Sequence, residues 1–234
     1  TDFAGGSGLD KAHKRNAGPN DFQRYWDSKG IDVFSGKEVG QEYKVSLLHD
    51  TDEVQSTTGT NLYMQEMSGS IFFADGAVLK RIDSPLDASP TVTSETAPSA
   101  GNDITGMAVL GTRLYLVANG AIYVRTGAST YSTHNSHKTF SKIWSMKGRI
   151  VASDTSGDLY EVPDSSNPTT MKTLPTGTEW TDLADGGAVV LACATDGYIY
   201  SFADESSSLT LKGQTFVEGE VPNAIDAAQG LIFY

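Results

Sequence analysis

Scarcity sets the first limits on this chain. One cysteine, Cys193, stands among 234 residues, so no disulfide can close within them and vicinal thiols are excluded. That cysteine sits in the apolar run 188–194, the setting of a small buried hydrophobe rather than of an exposed nucleophile. No uninterrupted apolar stretch approaches the roughly 18 residues that a membrane-crossing helix needs, so insertion by a helix is not expected. Basic residues are also few: 17 Lys and Arg face 29 Asp and Glu, a formal net charge of −12.

The missing positive charge is unevenly distributed. Residues 1–44 carry seven acids and seven bases, so the acidic excess belongs wholly to residues 45–234. Binding phosphate backbones or anionic lipid needs positive potential, so no nucleic acid is expected as a partner. The cluster Lys11, His13, Lys14 and Arg15 is short and lies among acids, and does not reverse this expectation. Only His134 and His137 of the four histidines are close in sequence. Their stretch, 131–138, reads as a polar outer strand or loop that sends the two rings to opposite sides, which is unsuited to zinc. Asp50-Thr51-Asp52-Glu53 lacks the glycine and distal glutamate of a calcium loop and reads as a charged turn. No metal or cofactor is expected.

What the chain has in quantity is glycine, 24 residues, and much of it is periodic. A glycine follows an apolar run at Met67-Ser68-Gly69, Leu110-Gly111, Lys147-Gly148, Gly186-Gly187 and Gln229-Gly230, at intervals of 37 to 43 residues. A second turn follows within each unit, at Asp75-Gly76, Asn119-Gly120, Ser156-Gly157 and Asp196-Gly197, dipeptides that reach positive φ cheaply in tight hairpins. The runs between the turns, 113–118, 121–124, 188–192 and 198–202, are β-branched, aromatic and apolar. Two turns in fixed phase, at a period near 40, define four-stranded units. The fold class expected is therefore all-β, a β-propeller of four-stranded antiparallel blades with about four and a half blades present.

Within each blade the apolar runs read as central strands covered on both faces. Residues 104–110, 142–146 and 180–184 read as innermost strands, and 169–174 and 208–212 as polar outer ones. Trp144 and Trp180, 36 residues apart, read as equivalent core wedges between blades. The run 231–234 reads as the middle of a further blade, which leaves the ring incomplete over these residues and implies a longer natural protein. On that expectation, 43–48 is the outer strand that closes the ring.

The domain division expected is an N-terminal arm, 1–42, and a propeller, 43–234. The arm is glycine-rich at its start and then carries Asp21–Ser28 as residues 21–28, a segment fit for two helical turns capped by Asn20. Phe3, Phe22, Arg24, Tyr25 and Trp26 are the side chains that would anchor an interface, since aromatics and arginine dominate such contacts. The arm either packs on its own propeller or docks on a neighbouring subunit.

The glycine-rich opening, the Arg24-Tyr25-Trp26 segment, Ser28-Lys29-Gly30-Ile31-Asp32-Val33 and the Gly36-Lys37 turn together resemble the start of propeller-bearing tailed-bacteriophage virion proteins of the minor-tail type. The resemblance covers residues 1–60 and rests on order and composition. It implies a non-enzymatic structural protein of a virus particle, located in the virion. Its partners would be other virion proteins or copies of itself, with the propeller displayed outward. The alternative is a carbohydrate-binding propeller that attaches to a host surface glycan. The blades lack the repeated tryptophan–aspartate dipeptide and the kelch pattern of common cellular propellers.

An enzyme finds less support. The hairpins 151–160 and 191–200 resemble the repeat of quinoprotein-like propellers, but that repeat describes a hairpin before it describes a cofactor. The aspartate-box turn of sialidase-like hydrolases and the Gly-x-Ser-x-Gly nucleophile setting are both missing.

Overall fold

The computed structural model describes residues 62–85, 90–205, 208–219, 221–228 and 231–233, together with the strands β1 (Ile31–Asp32) and β2 (Ser46–Leu47). The chain divides into two compact units, Thr1–Glu53 and Val54–Tyr234. In the first unit β1 and β2 pair antiparallel, Ile31 opposite Leu47. Of the stretch 43–48, then, Ser46–Leu47 pairs within this unit; the helical segment 21–28 and the acidic turn 50–53 lie outside the described residues.

The second unit is a β-propeller. Its first blade is β3 (Leu62–Met67), β4 (Ser70–Asp75), β5 (Val78–Asp83) and β6 (Thr91–Thr96), an antiparallel meander. The second is β7 (Ile104–Leu110), β8 (Arg113–Ala118), β9 (Ala121–Gly127) and β10 (Thr130–Asn135). The third is β11 (Lys142–Met146), β12 (Arg149–Ser153), β13 (Asp158–Glu161) and β14 (Thr169–Thr173). The fourth is β15 (Trp180–Asp185), β16 (Val190–Ala194), β17 (Tyr198–Glu205) and β18 (Ser208–Phe216). A hairpin of β19 (Asp226–Ala228) and β20 (Leu231–Phe233) begins a fifth. The first strands of successive blades lie beside one another, which makes them the inner wall. Among the described residues there is no helix.

The alternation of strand side chains builds the core as a series of seams. Along β8, Leu114 and Leu116 point to the first blade, where they meet Phe72, Ala74 and Leu79. Tyr115 and Val117 point the other way and meet Phe140, Ile143, Ile150 and Tyr160 of the third blade. On β16, Val190, Ala192 and Ala194 pack toward Met146, Val151 and Leu159, while Leu191 and Cys193 face Ile225. A strand buried on both faces has no polar side to display, which is why these runs are continuously apolar.

Both sets of turns are where the glycines placed them, with local differences. The loop after β15 runs over four residues, closed by the Gly186 N–H on the Val189 carbonyl, so β16 starts at Val190 rather than at 188. Asn119 and Gly120 both have positive φ, 49° and 74°, the requirement of a type I′ hairpin. In each blade the carbonyl of the second-turn glycine also accepts a backbone N–H from the segment leaving the outer strand. Ile104 binds Gly76 at 2.9 Å, Phe140 binds Gly120 at 2.9 Å, Leu174 binds Gly157 at 3.0 Å and Val217 binds Gly197 at 2.9 Å. The turn thereby holds the crossover to the next blade.

The tryptophans differ from their expected equivalence. Trp180 opens β15 opposite Ala194 and is 1% exposed, whereas Trp144 pairs with Val151 in mid-strand and is half-buried. A bulge at Thr181 shifts the register of β15 and breaks the equivalence. Both side chains nevertheless pack into the seam between the third and fourth blades.

Gly157 tests the clasp most directly: its φ is +87°, and a Cβ there would lie 2.5 Å from the Thr178 carbonyl oxygen. Gly157→Ala is expected to lower unfolding stability by about 2 kcal/mol or more through forced backbone movement, measurable as a fall in urea midpoint. An Ala at Gly148, where a Cβ meets nothing within 4 Å, removes the clash but keeps the φ penalty and should cost less.

Candidate functional site

The inner wall is where propellers place side chains from several blades together, and here those side chains reach from each blade to the next. Gln65 on β3 donates its amide to the Met107 carbonyl on β7 at 3.4 Å. Lys142 on β11 donates to the Trp180 carbonyl at 2.9 Å and the Thr181 carbonyl at 3.3 Å on β15. The Thr181 hydroxyl donates in turn to the Pro222 carbonyl at 2.6 Å. Between the second and third blades the wall closes by contact: a Cβ on Gly106 would lie 3.0 Å from the Ile143 side chain.

Asp182 is the centre of this arrangement. Its Oδ1 accepts the Trp144 indole N–H at 2.8 Å and the Leu183 N–H at 2.9 Å; its Oδ2 accepts the Ile225 N–H at 2.9 Å. One carboxylate thus ties the third, fourth and fifth blades. The bulge at Thr181 is what turns Asp182 to this side, since it shifts the strand by one residue. Burial pulls the Lys142 ammonium below its ordinary value, opposed by the charges of Glu179 and Asp182. Burial likewise pushes the Cys193 thiol up, and it is 0% exposed in its strand. With three N–H donors on it, the Asp182 carboxylate joins neighbouring blades at the inner wall.

A second polar cluster lies between the first and second blades, nearer the rim. Glu95 on β6 is 2% exposed and receives Arg125 of β9 in a two-pronged pair, both contacts at 2.7 Å. Arg81 approaches the same carboxylate at 3.5 Å and Ser129 donates its N–H to it at 3.3 Å. Arg125 also lies over the Phe72 ring, 5.0 Å from its centroid. Tyr131 beside them is pushed up to about 12, first by burial and then by the Glu95 charge.

The third recurring group is a tyrosine clamp at the second turns. Asp154 accepts the Ser156 and Asp158 N–H groups through Oδ1, and the Tyr160 hydroxyl at 2.9 Å through Oδ2. In the next blade Asp196 accepts the Tyr198 N–H through Oδ1 and the Tyr200 hydroxyl through Oδ2. Burial, then the aspartate hydrogen bonds, raises both tyrosine hydroxyls far above their ordinary value.

The interface residues expected in the arm, Phe3, Phe22, Arg24, Tyr25 and Trp26, lie outside the described residues. The stretch 131–138 is less solvated than its composition suggests. His134 and Asn135 are buried, and Asn135 donates to the Pro163 and Ser166 carbonyls at 2.9 and 2.8 Å. His134 packs edge-on against Tyr115, whereas His137 is exposed. Sequence reasoning missed Lys142, Asp182, Glu95 and Arg125. The pattern that marked them was charge inside or beside an apolar strand, such as Leu183-preceded-by-Asp182, and it carries no partner information.

No protein-family model and no curated protein matches the chain. Solved structures do. The WD40 β-propeller domain of Doa1 matches with a TM-score of 0.54 at 10% identity, over 72% of this chain and 58% of that one. The β-propeller domain of Cps50 (Swd1) from Myceliophteria thermophila matches with a TM-score of 0.50 at 12% identity, over 68% and 59%. The computationally designed Ika8 protein matches at 0.54 and 15%, over 88% and 65%. PorZ, a surface component of the type-IX secretion system of Porphyromonas gingivalis, matches at 0.52 and 15%; this chain spans 22% of it. The chain therefore spans less than two thirds of each of these structures. Similarity at such identities defines the fold as a β-propeller and nothing finer.

Two outcomes follow from this geometry. Glu95→Gln leaves Arg125 buried without its counter-charge and is expected to cost about 3 kcal/mol, read by chemical denaturation. The tyrosine clamps make stability fall in alkali: a hydroxyl whose folded pKa is raised keeps its proton while the unfolded chain loses it above about pH 10. Stability is therefore whole below about pH 10 and declines as pH rises beyond it, and a Tyr160→Phe, Tyr200→Phe double variant should show a shallower alkaline decline in thermal melting.

Proposed function

We propose that this protein is a non-enzymatic structural and assembly component of a virus particle, a tailed-bacteriophage virion protein of the minor-tail type. The arm, residues 1–42, docks on neighbouring subunits through Phe3, Phe22, Arg24, Tyr25 and Trp26, and the acidic propeller is displayed. The observation that carries the non-catalytic part is the use made of the inner wall. Lys142, Asp182, Trp144 and Thr181 spend their hydrogen bonds on the neighbouring blade. A wall of this kind supports a rigid platform. The virion part rests on the resemblance of residues 1–60, with its glycine-rich start and Arg24-Tyr25-Trp26 segment. The acidic excess of residues 45–234 favours a display surface that repels nucleic acid.

Deletion of residues 1–40 is the test. Particles banded on a density gradient from the native source should contain the full chain at a fixed ratio to the major particle protein by mass spectrometry. The deletion should keep the propeller's circular dichroism and lose incorporation. Absence of the full chain from the particle band sinks the virion reading and turns attention to a carbohydrate-binding propeller, checked on a glycan array.

A further inference from the structure

The four blades can be compared with one another at the residue that ends or follows the outer strand, just before the segment bound to the second-turn glycine. In the first three blades this residue is Asp103, Thr139 or Thr173, each exposed and small or polar, one position before the N–H that binds the turn carbonyl. In the fourth it is Phe216, whose ring is 56% exposed. The ring covers Gly197, where a Cβ would come within 2.9 Å of it, and pairs with Tyr198 at 5.2 Å between centroids. Tyr198 is also a departure, since the positions after Gly120 and Gly157 hold Ala121 and Asp158. Val221, 46% exposed, follows five residues on. An exposed Phe216 ring against a half-buried Tyr198 in one blade, where the others carry small or polar residues, is not needed for the repeat.

The shape and charge of this place indicate what it accepts. The Tyr198 and Phe216 planes meet at 59°, which makes a notch rather than the flat platform on which a sugar ring stacks. Carboxylates stand on the segments around it. Asp196 begins the same turn, Glu179 pairs by its backbone with Thr195, and exposed Glu218 lies two residues past Phe216. Of the bases on these segments, the Lys142 ammonium is turned to the Trp180 and Thr181 carbonyls, and exposed Lys212 stands four residues earlier on β18. Aromatic faces beside carboxylates attract lysine or arginine.

We infer that the Tyr198–Phe216 notch is a docking site for the basic cluster Lys11, Lys14 and Arg15 in the arm of a second copy of this chain. The inference rests on the reading of the arm as a docking element and names the surface it would dock on. Charge complementarity selects the occupant: the cluster is the densest basic stretch in the chain, and the propeller carries the whole acidic excess. Long-range attraction brings the arm to the propeller, and the notch orders one cationic side chain against two rings.

Sedimentation velocity of the full chain tests this at low salt, where such attraction is strongest. The full chain should self-associate. Phe216→Thr, which gives the fourth blade the residue type of the second and third, should raise the dissociation constant about tenfold. Phe216→Tyr should restore it. Lys11→Gln, Lys14→Gln and Arg15→Gln together should weaken association similarly, and adding Phe216→Thr to them should weaken it little further. A full chain that stays monomeric overturns the inference, as does a Phe216→Thr chain that associates like the parent. If removal of residues 1–40 abolishes association while Phe216→Thr leaves it intact, the docking surface is wrong and the arm's assembly role stands.

Discussion

Burial of each blade between its neighbours is the constraint on which the rest of this structure depends. A four-stranded sheet with two apolar faces cannot stand alone in water, and the second, third and fourth blades here have an apolar strand packed on both sides. Leu114 and Leu116 are 0% exposed toward one neighbour, and Val117 toward the other. The continuous apolar character of 113–118 and 188–194, the tight turns and the short crossovers follow from that arrangement. So does the placement of polar groups, which have only the strand ends, the rim and the inner wall left to them.

Where charge enters a seam, it enters with its partners. Glu95 is buried because Arg125 meets it with two hydrogen bonds and Ser129 adds an N–H. Asp182 is tolerated because three N–H donors from three blades converge on it. Such groups add direction to packing that is otherwise non-directional, fixing which blade face meets which. The tyrosine clamps do the same at the turns, using an aspartate both to shape the hairpin and to hold a buried hydroxyl. These polar residues register blades against each other.

The surface read in this way has one conspicuous departure. Three blades place Asp103, Thr139 and Thr173 against the turn, and the fourth places Phe216. The acidic segments around Phe216 and the angle between its ring and that of Tyr198 give that departure a chemical sense.

The sequence by itself determined the strand order, the blade period and the fold class, because these rest on local chemistry: glycine at positive φ, β-branched and aromatic runs, and a period of about 40 residues. It also identified Cys193 as a buried residue, from its apolar neighbours alone. Tertiary structure alone decided that Trp144 and Trp180 are not equivalent, because a single-residue bulge at Thr181 is invisible in composition. It alone decided that His134 and Asn135 are buried, since the loop that covers them, 162–166, comes from the next blade. The partners of Asp182 and Glu95 in neighbouring blades lie 30 to 43 residues away. Hairpin chemistry is short-range and can be read along the chain; the pairing of charges across a seam depends on how two blades are rotated against each other, and only the folded protein sets that.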